Sequence, residues 1–197
     1  MARSSACSEP TLLRERSLAA CLEAVASTAE PVPAGGSVAA LTGAAAAGLL
    51  ALVCGVRAKR RPTDAVADLL ARARELQRML VELVDADAAV YRQLMAARRA
   101  SQPGSSAMVD AARVPLEIAA RCRDVVDLAG QVMPLAPAAL AGDARTAALL
   151  AAAAADAALG LAEEDARHVQ DAAEAGRLDE AISALRVRQQ RLGPGHQ

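Results

Sequence analysis

The stretch VAALTGAAAAGLLALVCGV, residues Val38–Val56, decides the fold class of this chain. It carries no charge and is nearly long enough to cross a bilayer, but most of its apolar residues are Ala and Gly. Small residues contribute little to membrane transfer, whereas a helix packed by neighbours on all sides needs them. We therefore predict a buried central helix, with a membrane span as the alternative. The run TAALLAAAAA at Thr146–Ala155 has the same character until Asp156 interrupts it.

The composition supports an all-α fold and argues against nucleic-acid binding. The chain has 197 residues, of which 54% are hydrophobic and 1% aromatic, and its net charge is −1. Tyr91 is the only aromatic side chain, so sheets built on aromatic pairs are not expected. A protein that has no excess of basic residues, and only one aromatic ring to stack on bases, is poorly suited to bind nucleic acid. The length suits one domain.

Amphipathic segments surround the two small-residue helices and bring the predicted total to about six. Apolar side chains recur at helical spacing in Leu12–Ala26, from Thr63 to the loop at Ser101–Ser106, from Pro115 to Val132, and in Leu178–Leu192. The second small-residue helix is predicted to open at Gly142–Asp143 and to continue to about Ala175, with Gly176 as its stop. We predict one compact helical bundle over residues 1–192 and a disordered tail at 193–197.

The cysteines and histidines give no sign of a metal site. Cys7, Cys21, Cys54 and Cys122 are widely spaced without a CxxC pair, and His168 and His196 do not stand at ligand spacing with them. We expect reduced thiols, no metal and a cytoplasmic location. The N-terminal residues have no basic segment followed by a long apolar run, which agrees with that expectation.

The loop PVPAGGSVAAL, Pro31–Leu41, is the most informative segment for chemistry. Its prolines and glycines turn the chain sharply into a helix that Ser37 is predicted to cap. Exposed N–H groups at such a helix start favour an anionic ligand group. The alternative is purely structural, with Gly35 and Gly36 making a tight turn and Ser37 serving only as a cap.

Asp87 is a candidate for an acid–base role or for a structural role, whereas two other aspartates have ordinary interpretations. The apolar stripe of the long helix passes through Asp87, so this carboxylate should point inward, where it is either a proton carrier or a structural hydrogen-bond acceptor. Asp85 falls off the stripe and is expected to be solvated. Asp143 follows Gly142 at a helix start and has the ordinary interpretation of an N-cap.

A polar group near the end of the second small-residue helix offers a further arrangement. Asp165 and His168 are three residues apart and Glu164 and His168 are four apart, so a carboxylate could orient the imidazole. On a polar EEDARH surface, an exposed ion pair is favoured over a catalytic dyad.

Four segments together resemble a known family. The segment containing PVPAGGSVAAL is similar to the P-x-P-G-G-G-S-V-A-A-L segment of the formiminotransferase-cyclodeaminase and methenyltetrahydrofolate cyclohydrolase family. VELVDADAAVYRQLMAARR, Val81–Arg99, resembles its acidic D-x-D-A-x-A-[FY] helix, ARVPLEIAARCRDVVDLA its V-P-L-E helix, and GDARTAALLAAAAADAAL its S-D-x-x-x-A-A-L-L helix. The resemblance covers about residues 18–175.

The resemblance implies an all-α homodimer that handles a folate one-carbon unit. Such enzymes hydrolyse 5,10-methenyltetrahydrofolate to the 10-formyl form or close 5-formiminotetrahydrofolate to the methenyl form with loss of ammonia. Carried over to this chain, Gly35, Gly36 and Ser37 match the ligand loop, and Asp87 and Asp143 match the two family aspartates. The implied substrate is a tetrahydrofolate derivative. From charge, hydropathy and cysteine spacing we expect no nucleic acid, membrane or metal as partner.

Several departures from the family pattern bear on the activity. Ala34 replaces the first glycine of the triple and Gly142 replaces the serine of S-D. The family's N-V-x-I-N segment reads Leu161 to Asp165 here, and its L-P-K is absent, which leaves Arg98 and Arg99 nearby. Two alternatives therefore stay open beside the folate enzyme: the same scaffold recruited to a cyclisation, dehydration or ring-opening on a non-folate substrate, and a non-catalytic helical oligomer that binds a ligand.

Overall fold

A computed structural model describes residues 12–28, 32–100 and 106–191 of the chain. Within these ranges the protein is all-α, with six α-helices and no strand, which confirms the predicted fold class and helix number. The helices are α1 (Leu18–Ala26), α2 (Gly35–Arg60), α3 (Asp64–Arg99), α4 (Ser106–Val132), α5 (Ala141–Ala166) and α6 (Ala172–Arg191). Short 3-10 turns occupy Leu13–Glu15, Met133–Leu135 and Ala138–Leu140.

The two small-residue helices lie where the sequence predicts them, inside the bundle. Helix α2 packs against α3, α4 and α5, and α5 also packs along α4. Fully buried alanines such as Ala40, Ala47 and Ala151 let the helix axes approach closely, while Leu50 and Leu128 fill the remaining core. The low bulk of α2 and α5 is therefore the reason why several long helices can share one core.

Gly43 marks the closest approach inside the bundle. A Cβ atom there would lie 2.5 Å from the Sγ atom of Cys122 and 3.2 Å from a methyl carbon of Leu80. Both neighbours are fully buried and have no room to retreat. Gly55, on the same helix, has nothing within 4 Å of the equivalent position.

We expect Gly43→Ala to destabilise the protein and Gly55→Ala to stabilise it slightly. Overpacking a core costs about 1–3 kcal/mol, whereas relief of glycine's backbone entropy in a helix contributes about 0.5–1 kcal/mol. Urea unfolding of both variants measures the difference. Equal stability of the two would contradict close packing at Gly43, and Cys122→Ala combined with Gly43→Ala should recover part of the loss.

Two helical segments are long and apolar enough to cross a membrane by length and composition, Gly35–Arg60 and Ala138–Ala166. In the bundle, half of the apolar window of the first is buried, and 39% of the window of the second. Core helices of soluble proteins meet the same criterion, so the finding by itself does not favour a membrane span.

The end of α5 differs from the prediction. The helix stops at Ala166 rather than near Ala175, and Gly176 lies inside α6 instead of ending a helix. The reason is Asp171, whose side chain accepts hydrogen bonds from the backbone N–H groups of Ala173 and Glu174 and so starts a new helix. The tail predicted at 193–197 lies outside the described residues.

Candidate functional site

A cavity of about 270 Å³ lies where the N-terminus of α2 meets α3, α4 and the end of α5. Gly35 and Gly36 form one wall, and Asp87 projects from α3 beside them. The opposite wall comes from α5 and the turn after it, with Leu161 and Asp165. The cavity is therefore lined by Gly35, Gly36 and Asp87, three of the five candidate site residues from the sequence. A fourth candidate, Ser37, contacts Asp87 directly.

Ser37 holds Asp87 in place across two helices. Its Oγ atom donates a hydrogen bond of 2.7 Å to Oδ2 of Asp87 and lies 3.3 Å from the carbonyl oxygen of Val84. The predicted N-cap role of Ser37 is wrong, because α2 begins at Gly35 and its N-cap residue is Ala34. Ser37 is instead a buried residue of the first turn, 2% exposed, whose hydroxyl fixes the acidic side chain.

Gly36 leaves the space that the Asp87 carboxylate occupies. A Cβ atom at Gly36 would lie 2.0 Å from Oδ1 and 2.6 Å from Cγ of Asp87. At Gly35 a Cβ atom would meet a methyl carbon of Leu161 at 3.3 Å, which is tight but outside the range of a direct clash. Gly36 is thus required for the approach of the Asp87 side chain, which neither a tight turn nor ligand binding alone explains.

Ala34 fits its position, although the family pattern has glycine there. Its backbone is extended, with φ −128° and ψ −158°, a conformation that any residue adopts. The departure at Ala34 therefore imposes no backbone strain.

The first N–H groups of α2, at Gly35 and Gly36, have no partner further back in their own helix and border the cavity.

Asp87 lies in surroundings that favour its protonated form. Burial raises the pKa of its carboxyl group above the ordinary value, and hydrogen bonds from the Ser37 hydroxyl and backbone offset only part of that rise. The inward orientation predicted from the apolar stripe is confirmed. A carboxyl group with a raised pKa in a cavity is suited to proton transfer near neutral pH.

A second carboxylate, Asp165, borders the same cavity. Burial raises its pKa, the charges of Glu164 and Asp87 add to the rise, and Arg98 and His168 oppose it. The sequence favoured an exposed ion pair here. Glu164 and His168 are indeed exposed, but they line the cavity mouth together with Asp165.

The residues that α5 and the turn after it contribute to the cavity can be recognised in the sequence by their spacing. Leu161, Glu164, Asp165 and His168 recur at steps of three and four residues, which places them on one face of a helix. Local spacing could not show that this face turns toward Asp87. That information is carried by the packing of α5 against α2 and α4.

Pro115 interrupts the backbone hydrogen bonding of α4 beside the cavity. It lies inside α4 and has no N–H, so the carbonyl oxygen of Ala111 lacks its usual helical donor four residues on. Both residues border the cavity. This part of the wall therefore has one hydrogen bond fewer than a regular helix.

Asp143 does not join the other predicted site residues within one chain. It lies in the first turn of α5, where Leu140 rather than Asp143 is the N-cap residue. From there to Leu161 the helix rises about 27 Å at 1.5 Å per residue. Its position in the first turn does complement the partial positive charge of a helix N-terminus.

Asp85 is not solvated, contrary to the sequence-based expectation. Its side chain is 12% exposed, accepts a 2.6 Å hydrogen bond from the Leu13 N–H and lies 3.4 Å from the Arg14 guanidinium group. Asp85 therefore holds the segment before α1 against α3. Local periodicity could not reveal a partner 72 residues away.

Among the described residues no group of three or more His, Cys, Asp or Glu side chains is arranged to hold a metal ion. The three cysteines in this part of the chain, Cys21, Cys54 and Cys122, are free thiols.

Comparison with known proteins agrees with the architecture and with the segments that build the cavity. The sequence profile described as formiminotransferase-cyclodeaminase matches residues 17–184. The chain belongs to the formiminotransferase-cyclodeaminase family. Its fold is similar to the crystal structure of formiminotetrahydrofolate cyclodeaminase from Thermotoga maritima, with a TM-score of 0.82 at 20% identity, covering 91% of this chain and 92% of the other. No curated protein sequence matches the chain significantly.

The family's segments converge on the cavity in this member. The glycine loop, the acidic helix and the V-P-L-E helix contribute Gly36, Asp87 and Pro115. The departure at Leu161–Asp165 lies in the same cavity, and Arg98, which remains where L-P-K is absent, stands at its mouth. Three of the departures, at Ala34, at Arg98 and at Leu161–Asp165, thus border the cavity, and only Gly142 lies away from it.

Proposed function

We propose that this protein is an enzyme of folate one-carbon chemistry. It acts on 5,10-methenyltetrahydrofolate as a cyclohydrolase or on 5-formiminotetrahydrofolate as a cyclodeaminase. The observation that carries the proposal is Asp87, a cavity carboxyl group fixed by Ser37 beside the N-terminus of α2. Family membership supports the substrate class.

In the cyclohydrolase reaction Asp87 serves first as base and then as acid. The carboxylate takes a proton from the water that attacks the methenyl carbon, and a C–O bond forms. The same proton then passes to N5 as its bond to that carbon breaks, and the second proton of the water leaves to solvent as the carbonyl of the 10-formyl product forms. Since burial raises the pKa of Asp87, the group can hold the proton between these two steps.

In the cyclodeaminase reaction Asp87 acts at the leaving nitrogen. N10 attacks the carbon of the protonated formimino group and then loses its proton, and the formimino nitrogen, which already carries two hydrogens, gains one more and departs as ammonia. A protonated Asp87 supplies a proton to this nitrogen and afterwards accepts the one from N10. The N–H groups of Gly35 and Gly36, at the start of α2, border the cavity and are suited to bind a negative or polar group of the ligand.

The size of the cavity fits the ring system of a folate rather than the whole molecule. Its volume of about 270 Å³ lies just below the range of roughly 300–1,000 Å³ typical for sites of drug-sized ligands. The acidic tail of the folate would leave the cavity through the opening beside Arg98, where the guanidinium group can pair with its carboxylates. The proposal thus assigns the ring system to the interior and the tail to the mouth.

The test is the absorbance of 5,10-methenyltetrahydrofolate in the near ultraviolet, followed with purified protein and with buffer alone. We expect a faster decay with protein, and a rise of the same band when 5-formiminotetrahydrofolate is supplied if the protein is a cyclodeaminase. If neither the decay nor the rise of absorbance exceeds that of the buffer blank, the proposed activity is refuted.

A second candidate function is carried by Leu161. This side chain presents methyl groups to the cavity where the family pattern has an amide, and an apolar side chain cannot form the paired hydrogen bonds by which an amide reads a heterocycle. The wall therefore also suits a cyclisation, dehydration or ring-opening on a non-folate substrate. A ligand screen in which folates bind most tightly would rule out this candidate.

We also propose that the protein is a homodimer formed through α1 and α2. The predicted apolar stripe of α1 is exposed, with Leu18 65% and Leu22 57% accessible, and Val38 and Leu41 of α2 continue the same surface beside it. Apolar side chains that cluster on a surface mark association sites, and the self-complementary two-fold contact is the commonest one.

Light scattering tests the dimer. We expect a mass about twice the 20.1 kDa of one chain, and about one chain mass for Leu22→Glu, because a charge in an apolar interface is desolvated without a partner. Val187→Glu, at a side chain of α6 that is 47% exposed, is the matched control and should leave the mass unchanged. A wild-type mass of one chain at micromolar concentration would refute the proposal.

A further inference from the structure

Asp165 lines the cavity, and no described residue bonds to its carboxylate. Asp87 is bonded by Ser37, whereas among the described residues no hydrogen bond or short ion pair engages the Asp165 side chain. Burial and the charges of its neighbours influence its ionisation, but no described neighbour bonds to it directly. A partly buried carboxylate that faces a cavity without a partner is free to bind a ligand.

The charges around the cavity favour a cation. Asp87, Glu164 and Asp165 supply three carboxyl groups, against which Arg98 is the one permanently charged cation in the described wall and His168 the other basic group. Arg98 is exposed at the mouth, while the two aspartates lie deeper. The interior is therefore acidic and the mouth is mixed.

Asp165 lies close to the reacting centre. Asp87 and Asp165 both line the same cavity, whose volume is only about 270 Å³. A ligand atom that exchanges protons with Asp87 is consequently near Asp165 as well. This proximity argues that Asp165 contacts the one-carbon unit and not a distant part of the ligand.

We propose that Asp165 binds the positive charge of an amidine group on which Asp87 acts, so that the cavity selects cationic N–C–N units over neutral ones. The inference rests on the proposed function for the identity of the reacting group. The methenyl bridge and the protonated formimino group are cations of this kind, and the 10-formyl group is neutral. Cyclodeamination keeps the positive charge from substrate to product and hydrolysis removes it, so Asp165 favours the former reaction.

Tyr91 provides a reporter for the experiment. It is the only aromatic residue of the chain and it lines the cavity. With ¹³C-labelled tyrosine, its ring signals in NMR spectra report occupancy of this site. Benzamidine, an amidinium cation, and benzamide, its neutral counterpart of the same shape, are the probes.

We expect wild-type protein to bind benzamidine about tenfold more tightly than benzamide, the size of effect that one charge-assisted hydrogen bond produces. Asp165→Asn should lose most of this preference and Asp165→Glu should keep it. Asp156→Asn, the same change at an exposed position of α5 outside the cavity, is the control and should match wild type. An undiminished preference in Asp165→Asn, or no preference in wild type, would overturn the inference.

A second pair of ligands separates this inference from the proposed function. Asp165→Asn should weaken binding of 5,10-methenyltetrahydrofolate and leave that of tetrahydrofolate, which lacks the one-carbon unit, within about twofold. Equal weakening of both would place Asp165 at another part of the ligand and overturn the inference. If the protein binds no folate but its benzamidine preference depends on Asp165, the proposed function fails and amidine selection stands.

Discussion

Asp87→Asn is expected to reduce turnover of the methenyl or formimino substrate by about 10²- to 10⁴-fold while leaving the fold intact. The amide has nearly the same shape and can still accept the hydrogen bond from the Ser37 hydroxyl. It can neither take up nor release a proton, however, so both half-steps of the proposed proton transfer are lost. The near-ultraviolet absorbance assay measures the loss, and KM should change much less than kcat.

The stability of the same variant gives an independent check on the ionisation of Asp87. Burial raises the pKa of the folded state above the unfolded value of about 3.9, so the folded protein favours the protonated form. The stabilisation from this group is fully present below the unfolded pKa and is lost as the pH rises through the folded pKa. We therefore expect Asp87→Asn to melt above wild type at pH 7 and the difference to shrink toward pH 4.

Asp143→Asn shows which carboxylate moves the proton. Within one chain Asp143 lies at the far end of α5 from the cavity, so its removal should cost much less activity than removal of Asp87. If Asp143→Asn were as inactive as Asp87→Asn, a second copy of the chain would have to bring Asp143 to the cavity. If Asp87→Asn kept full turnover, the assignment of the proton to Asp87 would be wrong.

The fold and part of the site follow from local sequence patterns. Helical periodicity and small-residue content predict the bundle, and the apolar stripe of α3 predicts that Asp87 points inward, because both depend on neighbours within a few turns. The role of Ser37 depends on a partner 50 residues away, and that of Asp85 on one 72 residues away. Spacing predicts a face but not what the face meets, which is why the sequence favoured an exposed ion pair at Asp165 and did not place it in the cavity with Asp87.

The second large effect is expected for Gly36→Ala, the smallest change that reaches the Asp87–Ser37 pair. The new methyl carbon would lie 2.0 Å from Oδ1 of Asp87, far inside van der Waals contact. Since α2 and α3 pack along their length, the helices cannot simply separate, and the carboxylate has to leave its bond with Ser37. We expect a loss of about 1–3 kcal/mol in the free energy of unfolding and of 10²-fold or more in kcat.

Gly142→Ala is the control for Gly36→Ala, because it introduces alanine at the start of a helix without a clash. Gly142 is the second residue of α5, as Gly36 is of α2, and has nothing within 4 Å of a Cβ position. It should therefore retain activity and gain slightly in stability. The double variant Gly36→Ala, Asp87→Ala relieves the contact, so it should recover stability without recovering turnover. Full activity of Gly36→Ala would show that the carboxylate need not lie against α2 during the reaction.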